Sequence, residues 1–152
     1  MVDTVDKQTR SRYMSAVRSR GNRTTEAKIV RLLREQKLKG WRRHYKVAGT
    51  PDFCWLDKKV VLFVDGCFWH GCPRCYQTPK SNVAFWREKV EANRKRDRRV
   101  VAALRAEGWV VVRVWECRIG EKRTISRILK AVKSKRRLGG KARKNSKSRK
   151  LL

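Results

Sequence analysis

Four cysteines are spaced so that their thiolates can bind one metal ion. Cys67, Cys72 and Cys75 lie five and three residues apart in a segment that contains glycine and proline, and Cys117 follows a later predicted strand. Four thiolates close a tetrahedral shell around Zn²⁺ and leave no open position for water, so the expected site is structural. Buried apolar thiols and disulfides are the alternatives, and an odd number of cysteines without a secretory signal disfavours disulfides. Cys54 lies in an apolar segment and is predicted to be a core residue.

Four carboxylates can meet at one end of a predicted sheet. Asp52 begins one strand and Asp65 ends the next, while Glu26 and Asp97 lie on predicted helices. Hard oxygen ligands of this kind suit Mg²⁺, and a metal ion held by carboxylates neutralises a scissile phosphate and activates water. Each acid also has a plainer interpretation, as a turn residue, a cap, a partner of the helix dipole or half of an ion pair. Their convergence would indicate phosphodiester chemistry.

Two histidines are interpreted differently. His70 lies three residues after the first cysteine of the zinc loop and can act as a base near neutral pH. A zinc-ligand role is the alternative, but four cysteines already complete the shell. His44 has no partner identifiable from the sequence and is interpreted as a surface or strand residue. For Asp97 the alternative to a functional role is an ion pair with Arg96 or Arg98.

Large aromatic residues accompany the predicted zinc loop. Phe68 and Trp69 lie within it, and Phe85 and Trp86 start the helix that follows. Apolar wedges pushed between base steps unstack and kink a duplex, most easily where pairing is already defective. Core packing is the alternative for Phe68 and Trp86.

Charge and length fit a folded protein that binds a polyanion. The chain has 152 residues and a formal net charge of +29, from 42 Lys and Arg against 13 Asp and Glu, and 40 % of it is hydrophobic. This apolar content is too high for a purely disordered basic protein. Without a membrane-length apolar run or a signal segment, we expect a soluble, intracellular, cytoplasmic protein. Residues 133–152 contain ten Lys and Arg and no acid, which predicts a disordered tail that attracts phosphates non-specifically.

The apolar periodicity predicts a mixed α/β fold. Thr24 or Thr25 is expected to cap the first helix, and Gly108 is expected to end the long helix. Residues 60–64 are expected to form a strand that is buried on both faces and makes a hairpin with the strand before it. Predicted helices cover residues 24–37, 82–107 and 122–133, and predicted strands cover residues 41–47, 52–56, 60–64 and 109–115. The inward face of the long helix is expected to contain Trp86, Val90, Asn93, Asp97, Val100, Val101 and Leu104.

Several motifs together resemble one enzyme family. They are Gly49-Thr50-Pro51-Asp52-Phe53, Phe63-Val64-Asp65-Gly66-Cys67-Phe68-Trp69-His70-Gly71-Cys72-Pro73, Pro79-Lys80-Ser81-Asn82, Phe85-Trp86, Asn93, Arg96-Asp97, Gly108-Trp109-Val110 and Val114-Trp115-Glu116-Cys117. This set resembles the very-short-patch-repair (Vsr) DNA mismatch endonucleases, and Asp6-Lys7, Thr9-Arg10-Ser11 and Met14 are similar to that family's N-terminal arm. The resemblance covers about residues 5–130.

The resemblance implies a fold, an activity and partners. The expected fold is restriction-endonuclease-like, with a central mixed sheet flanked by helices and a structural zinc. The expected activity is Mg²⁺-dependent nicking 5′ of the T in G:T mismatches that arise when 5-methylcytosine deaminates. Residues 1–20 would form a DNA-contacting arm and residues 21–132 the catalytic domain, while residues 133–152, the basic tail, lie outside the resemblance. Double-stranded DNA with a G:T mismatch is the expected substrate, and mismatch-repair proteins are candidate partners of the nucleoid-associated enzyme. A monomer is expected because nicking one strand needs only one active site.

The same resemblance implies roles for individual residues. Asp52 would be the main Mg²⁺ ligand, joined by the backbone carbonyl of Val64. His70 would activate the attacking water, Glu26 would orient it, and Asp97 would support the metal site. Zinc would be bound by Cys67, Cys72, Cys75 and Cys117. Phe68, Trp69 and Trp86 would insert into the DNA from one groove, and Met14 would insert from the other.

Two departures from the family pattern affect the site. Some members have His where this chain has Asp65, so that an aspartate here could join the metal shell directly. The zinc loop has Cys where other members use His, which keeps four ligands and changes their charge. Two other functions stay open on the residues alone: a non-catalytic zinc-stabilised nucleic-acid-binding protein, and a restriction-like nuclease without mismatch preference.

Overall fold

The computed structural model describes residues 23–134 and four residues before them, Asp6, Gln8, Thr9 and Arg12. Met14 lies outside the described residues, as do residues 135–152 of the predicted basic tail and the rest of the predicted N-terminal arm.

A four-stranded mixed sheet forms the centre of the molecule. Its strands are β1 (Arg42–Arg43), β2 (Phe53–Trp55), β3 (Val60–Asp65) and β4 (Val110–Trp115), in that spatial order. β1 and β2 pair antiparallel, β2 and β3 form the predicted antiparallel hairpin, and β4 runs parallel to β3. The edge strand predicted over residues 41–47 is only two residues long, because His44 has φ 48° and leaves the extended region.

Within residues 23–134, four α-helices surround the sheet. They are α1 (Arg23–Glu35), α2 (Cys67–His70), α3 (Val83–Ala106) and α4 (Lys122–Lys133), and a 3-10 turn covers Glu116–Arg118. Gly108 follows α3 with φ 84°, the left-handed conformation expected of a glycine that ends a helix. The predicted cap at Thr24 or Thr25 is wrong, because α1 already begins at Arg23 and both residues lie inside it. The Thr25 hydroxyl instead donates to Glu116 Oε1 at 2.9 Å.

Both faces of β3 are covered, as its unbroken apolar sequence predicts. Val60 and Leu62 pack with residues of α1 and α4, whereas Val61 and Phe63 pack on the other face with Leu104 of α3. Fully burying a side chain of this size contributes about 1.5–3 kcal/mol. Cys54 is completely buried beside Val61, as predicted for a core residue. None of the described helices is both long and apolar enough to span a membrane.

Candidate active site and metal centres

The chain direction of three strands brings the predicted carboxylates to one edge of the sheet. β3 and β4 are parallel and finish together at the paired residues Asp65 and Trp115. β2 is antiparallel to β3, so Asp52, just before β2, lies beside the end of β3. A cleft of about 660 Å³ at this edge is lined by five acids, which are the four predicted carboxylates Glu26, Asp52, Asp65 and Asp97, together with Glu116. The predicted convergence is therefore present.

Asp52 is held by the backbone of the neighbouring strand. Its Oδ2 accepts a hydrogen bond from the Val64 N–H at 2.7 Å. Burial raises the pKa of Asp52 above its usual range, and the hydrogen bond from Val64 only partly opposes that rise. A partly buried carboxylate whose charge is disfavoured is well placed to take up a cation.

Glu26 and His44 complete a group of ligand atoms with Asp52. One atom from each of these three side chains lies within 4.8 Å of the others, and His44 Nε2 is 3.4 Å from Glu26 Oε1. Arg43 also contacts the Glu26 carboxylate. The interpretation of His44 as a surface or strand residue without a partner was wrong. Its left-handed backbone turns the chain out of β1, it lines the cleft, and it lies beside Glu26 and Asp52.

A second group is built around His70. His70 Nδ1 is 2.5 Å from Asp97 Oδ2 and 4.0 Å from Asp65 Oδ1. Asp97 points inward from α3 as predicted, but its ion-pair partner is Arg113, with Nη2 at 3.1 Å, and neither Arg96 nor Arg98. His70 therefore has one ring nitrogen fixed by a carboxylate.

Arg113 connects the two carboxylates of this second group. Its Nε donates to Asp65 Oδ2 at 2.8 Å and its Nη2 contacts the other oxygen of the same carboxylate, a bidentate pair. The guanidinium also lies over the ring of Phe63, the residue paired with Arg113 across β3 and β4, at 5.1 Å. Burial lowers the pKa of Arg113, but the carboxylates of Asp65 and Asp97 raise it by more. The pKa of Arg113 therefore lies above its usual value. Sequence reasoning missed Arg113, whose only signal is a cation within an otherwise apolar strand.

The four predicted zinc ligands meet at the same edge of the sheet. One sulfur from each of Cys67, Cys72, Cys75 and Cys117 lies within 4.8 Å of the others, and Cys72 Sγ is 3.7 Å from Cys117 Sγ. Sulfurs about 2.3 Å from a tetrahedral zinc ion would be about 3.8 Å apart, so the spacing fits. Backbone N–H groups of Arg74 and Cys75 outweigh burial and help lower the pKa of Cys72 to about 7, which favours its thiolate. Burial raises the pKa of Cys67, so the thiolate character of the metal-free cluster falls on Cys72.

Helix α3 holds the segment that carries His70. Asn93 Nδ2 donates to the Trp69 carbonyl at 2.8 Å, and Arg94 Nη2 donates to the Gly71 carbonyl at 2.7 Å. Gly71 has φ 64°, and a Cβ there would lie 2.7 Å from both Val90 Cγ1 and Arg94 Nη2, so the close approach needs glycine. The inward position predicted for Asn93 is confirmed.

The aromatic residues form one cluster over this segment. The Phe68 ring centroid lies 5.0 Å from that of Trp86 and 5.5 Å from that of Trp69, in edge-to-face contacts. Trp86 is buried, whereas Phe85 beside it is 57 % exposed. Packing therefore accounts for Trp86 in this structure, while Phe68 and Trp69 are half-buried.

Comparisons with known proteins identify the family of the chain. A sequence model of the family described as DNA mismatch endonuclease Vsr matches residues 2–77. The Type II nicking enzyme V.XorIIP of Xanthomonas oryzae pv. oryzae is 44 % identical over 124 residues, which cover 80 % of this chain and 89 % of that relative. The DNA mismatch endonuclease Vsr of Escherichia coli (strain K12) is 39 % identical over 119 residues, covering 77 % and 75 %. The chain belongs to the Vsr family of DNA mismatch endonucleases, and the resemblance identified from the sequence motifs is confirmed.

Proposed function

We propose that this protein is a Mg²⁺-dependent endonuclease that nicks one strand of duplex DNA 5′ of the T in a G:T mismatch. The observation that carries the proposal is the convergence of Asp52, Glu26, His70 and Asp97 in one cleft of a protein with a net charge of +29. The names of its relatives, a mismatch endonuclease and nicking enzymes, support the class of reaction. The mixed sheet with helices on both faces is consistent with a restriction-endonuclease-like fold.

The donors around Asp52 fit a divalent cation. Carboxylate oxygens of Asp52 and Glu26 are hard ligands, and the backbone of Val64 lies against Asp52. We assign Asp52 and the Val64 carbonyl as the Mg²⁺ ligands. When bound, such an ion supplies charge stabilisation to the phosphate and lowers the pKa of water.

His70 is the proposed general base. With Nδ1–H donating to Asp97, the other ring nitrogen, Nε2, carries the lone pair that can accept a proton from the attacking water. Asp97 fixes this tautomer and stabilises the imidazolium that forms. Glu26, which lines the same cleft and lies beside Asp52, is the proposed group that orients the water.

The cysteine cluster is proposed to hold a structural Zn²⁺. It joins the segment after β3 to Cys117, which follows β4, and so fixes α2 with Phe68, Trp69 and His70. A rigid segment can present aromatic rings to DNA at a lower entropic cost than a flexible one.

Mismatch preference is proposed to come from aromatic insertion. Phe68 and Trp69 would enter the duplex from one groove, with the buried Trp86 packed behind the Phe68 ring, and Met14 of the N-terminal arm would enter from the other. Unstacking costs a few kcal/mol per step and is least costly at a mismatched pair. We propose that the enzyme acts as a monomer on nucleoid DNA, in concert with mismatch-repair proteins.

Replacement of the metal ligand tests the assignment. Asp52→Ala should abolish nicking of an end-labelled G:T duplex in Mg²⁺ and leave binding in a gel-shift assay largely intact. The matched control is Asp57→Ala, an exposed acid in the turn between β2 and β3 that lies outside the cleft. Undiminished nicking by Asp52→Ala would contradict the assignment and favour another catalytic centre.

A further inference from the structure

Glu116 is an acid of the cleft that has no part in the proposed chemistry. It follows β4 directly and lines the cleft with the four predicted carboxylates. The clustered ligand atoms of the cleft form two groups, which are Glu26, His44 and Asp52, and Asp65, His70 and Asp97. Among the residues that the structure describes, neither group includes Glu116. Its position in the cleft but outside both groups favours a role other than binding a metal ion.

The alternation of β4 turns Glu116 toward helix α1. Val112 and Val114 pack in the core that contains residues of α1 and α4, whereas Val111 packs on the other face with Leu104 of α3. Because side chains alternate along a strand, the next even position, Glu116, faces the side of α1. Its Oε1 accepts the hydrogen bond from the Thr25 hydroxyl, a residue 91 positions away in the chain.

The partner of Glu116 lies in the first turn of α1, next to Glu26. The first four N–H groups of a helix have no partner within the helix, so this turn has fewer internal restraints than the turns that follow. Thr25 and Glu26 are both buried, with relative exposures of 7 % and 8 %. The Thr25–Glu116 hydrogen bond therefore fixes the turn that carries Glu26 to the end of β4.

Arg43 holds Glu26 in a different way. It contacts the Glu26 carboxylate itself, from a side chain that is 42 % exposed. That contact directs the carboxylate, whereas the bond between Thr25 and Glu116 fixes the backbone from which Glu26 projects. The two contacts together keep a Glu26 oxygen within 4.8 Å of ligand atoms of His44 and Asp52.

We infer that Glu116 is a positioning residue for Glu26, acting through Thr25 and the first turn of α1. The inference rests on the proposed function, in which Glu26 orients the attacking water. The hydrogen bond requires an acceptor oxygen at position 116 and a hydroxyl at position 25. It does not require the charge of Glu116, and this separates positioning from metal binding.

Four substitutions in the full-length, zinc-loaded protein test the inference. Glu116→Ala and Thr25→Val each remove the bond, and each should slow single-turnover nicking of a G:T duplex by about 10–100-fold, because small misplacements cost that much in rate. The Kd for the same duplex should stay unchanged. Glu116→Gln and Thr25→Ser keep the acceptor and the hydroxyl, and should restore most of the lost rate. Since the two side chains act as a pair, Glu116→Ala combined with Thr25→Val should be no slower than either alone.

Tm and zinc content are measured for every variant, because Glu116 precedes the predicted zinc ligand Cys117. Ile128→Val is the matched control for a general loss of stability. Ile128 is buried in α4 and does not line the cleft, so this variant should lower Tm and keep the wild-type nicking rate.

Each alternative result has a definite meaning. A rate as low in Glu116→Gln as in Glu116→Ala would overturn the inference and make the charge itself functional. Wild-type nicking by folded Glu116→Ala would overturn the inference and leave the proposed function standing, whereas no nicking by the wild type would overturn both. If Glu116→Ala fails to fold or loses zinc, Thr25→Val decides, and a wild-type rate in that variant would overturn the inference.

Discussion

Replacing Asp52 with asparagine should stabilise the protein while it removes activity. The amide oxygen of asparagine can still accept the Val64 N–H, so the 2.7 Å hydrogen bond survives. What disappears is the charge that burial disfavours, as the raised pKa of Asp52 shows. Relief of this kind at a functional site commonly gives about 0.5–2 kcal/mol. At roughly 2–4 °C per kcal/mol for a chain of this size, a gain of about 1 kcal/mol raises Tm by a few degrees.

The gain should depend on pH in a defined direction. The folded protein holds the Asp52 proton more tightly than the unfolded chain, whose aspartate has the ordinary pKa of 3.8. Wild-type stability is therefore lost as pH rises from 3.8 through the raised folded value, and above that value the full cost is present. Asp52→Asn should exceed the wild type in Tm at neutral pH and match it below pH 3.8.

The loss of activity should be much larger than the gain in stability. Removing a ligand of an ion that supplies about 4 kcal/mol of transition-state stabilisation costs about a thousandfold in rate. The assays are thermal unfolding across pH without added Mg²⁺ and single-turnover nicking at saturating enzyme with it. Added Mg²⁺ should raise the Tm of the wild type only, because binding to the folded state stabilises it. A lower Tm for Asp52→Asn at neutral pH, or nicking within tenfold of wild type, would refute this reasoning.

Three further perturbations address other parts of the molecule. His70→Ala should slow single-turnover nicking by about 10²–10⁴-fold, the range of a general base, with DNA affinity unchanged, and a smaller effect would exclude the base assignment. Cys117→Ser should lose the zinc measured by elemental analysis and should have a lower Tm, whereas the control Cys54→Ala should keep its zinc. Zinc that stays bound to Cys117→Ser would place the metal elsewhere. Removal of residues 133–152 should flatten the salt dependence of DNA binding equally for matched and G:T duplexes, and a loss confined to the mismatch would give the tail a specific role.

The fold could be predicted because its signals are local. An unbroken apolar run marks β3, a run interrupted only by Arg113 marks β4, and three-four periodicity marks α1, α3 and α4. The placement of Asp52 and Asp65 followed from their positions at strand ends, since strand direction determines which ends meet. Edge strand β1 was overestimated because a single left-handed residue, His44, ended it, and no pattern in the sequence marks that residue.

The charge partners within the cleft could not be predicted, because they come from distant parts of the chain. Arg113 is 48 residues from Asp65, and only the parallel register of β3 and β4 brings the two together. Asp97 has arginines on both sides in sequence, yet neighbours along a helix point away from each other. Its contacts with His70 and Arg113 require the packing of α3 against the sheet edge.

The central claim is that the cleft catalyses metal-dependent nicking directed by a mismatch. The most direct measurement incubates purified protein with end-labelled matched and G:T duplexes, each in Mg²⁺ and in EDTA, and resolves the strands on a denaturing gel. We predict a single cut, 5′ of the mismatched T, in the G:T duplex with Mg²⁺ only. Binding of both duplexes without cleavage would contradict the claim and favour a zinc-stabilised DNA-binding protein, and equal cleavage of both duplexes would contradict the mismatch preference.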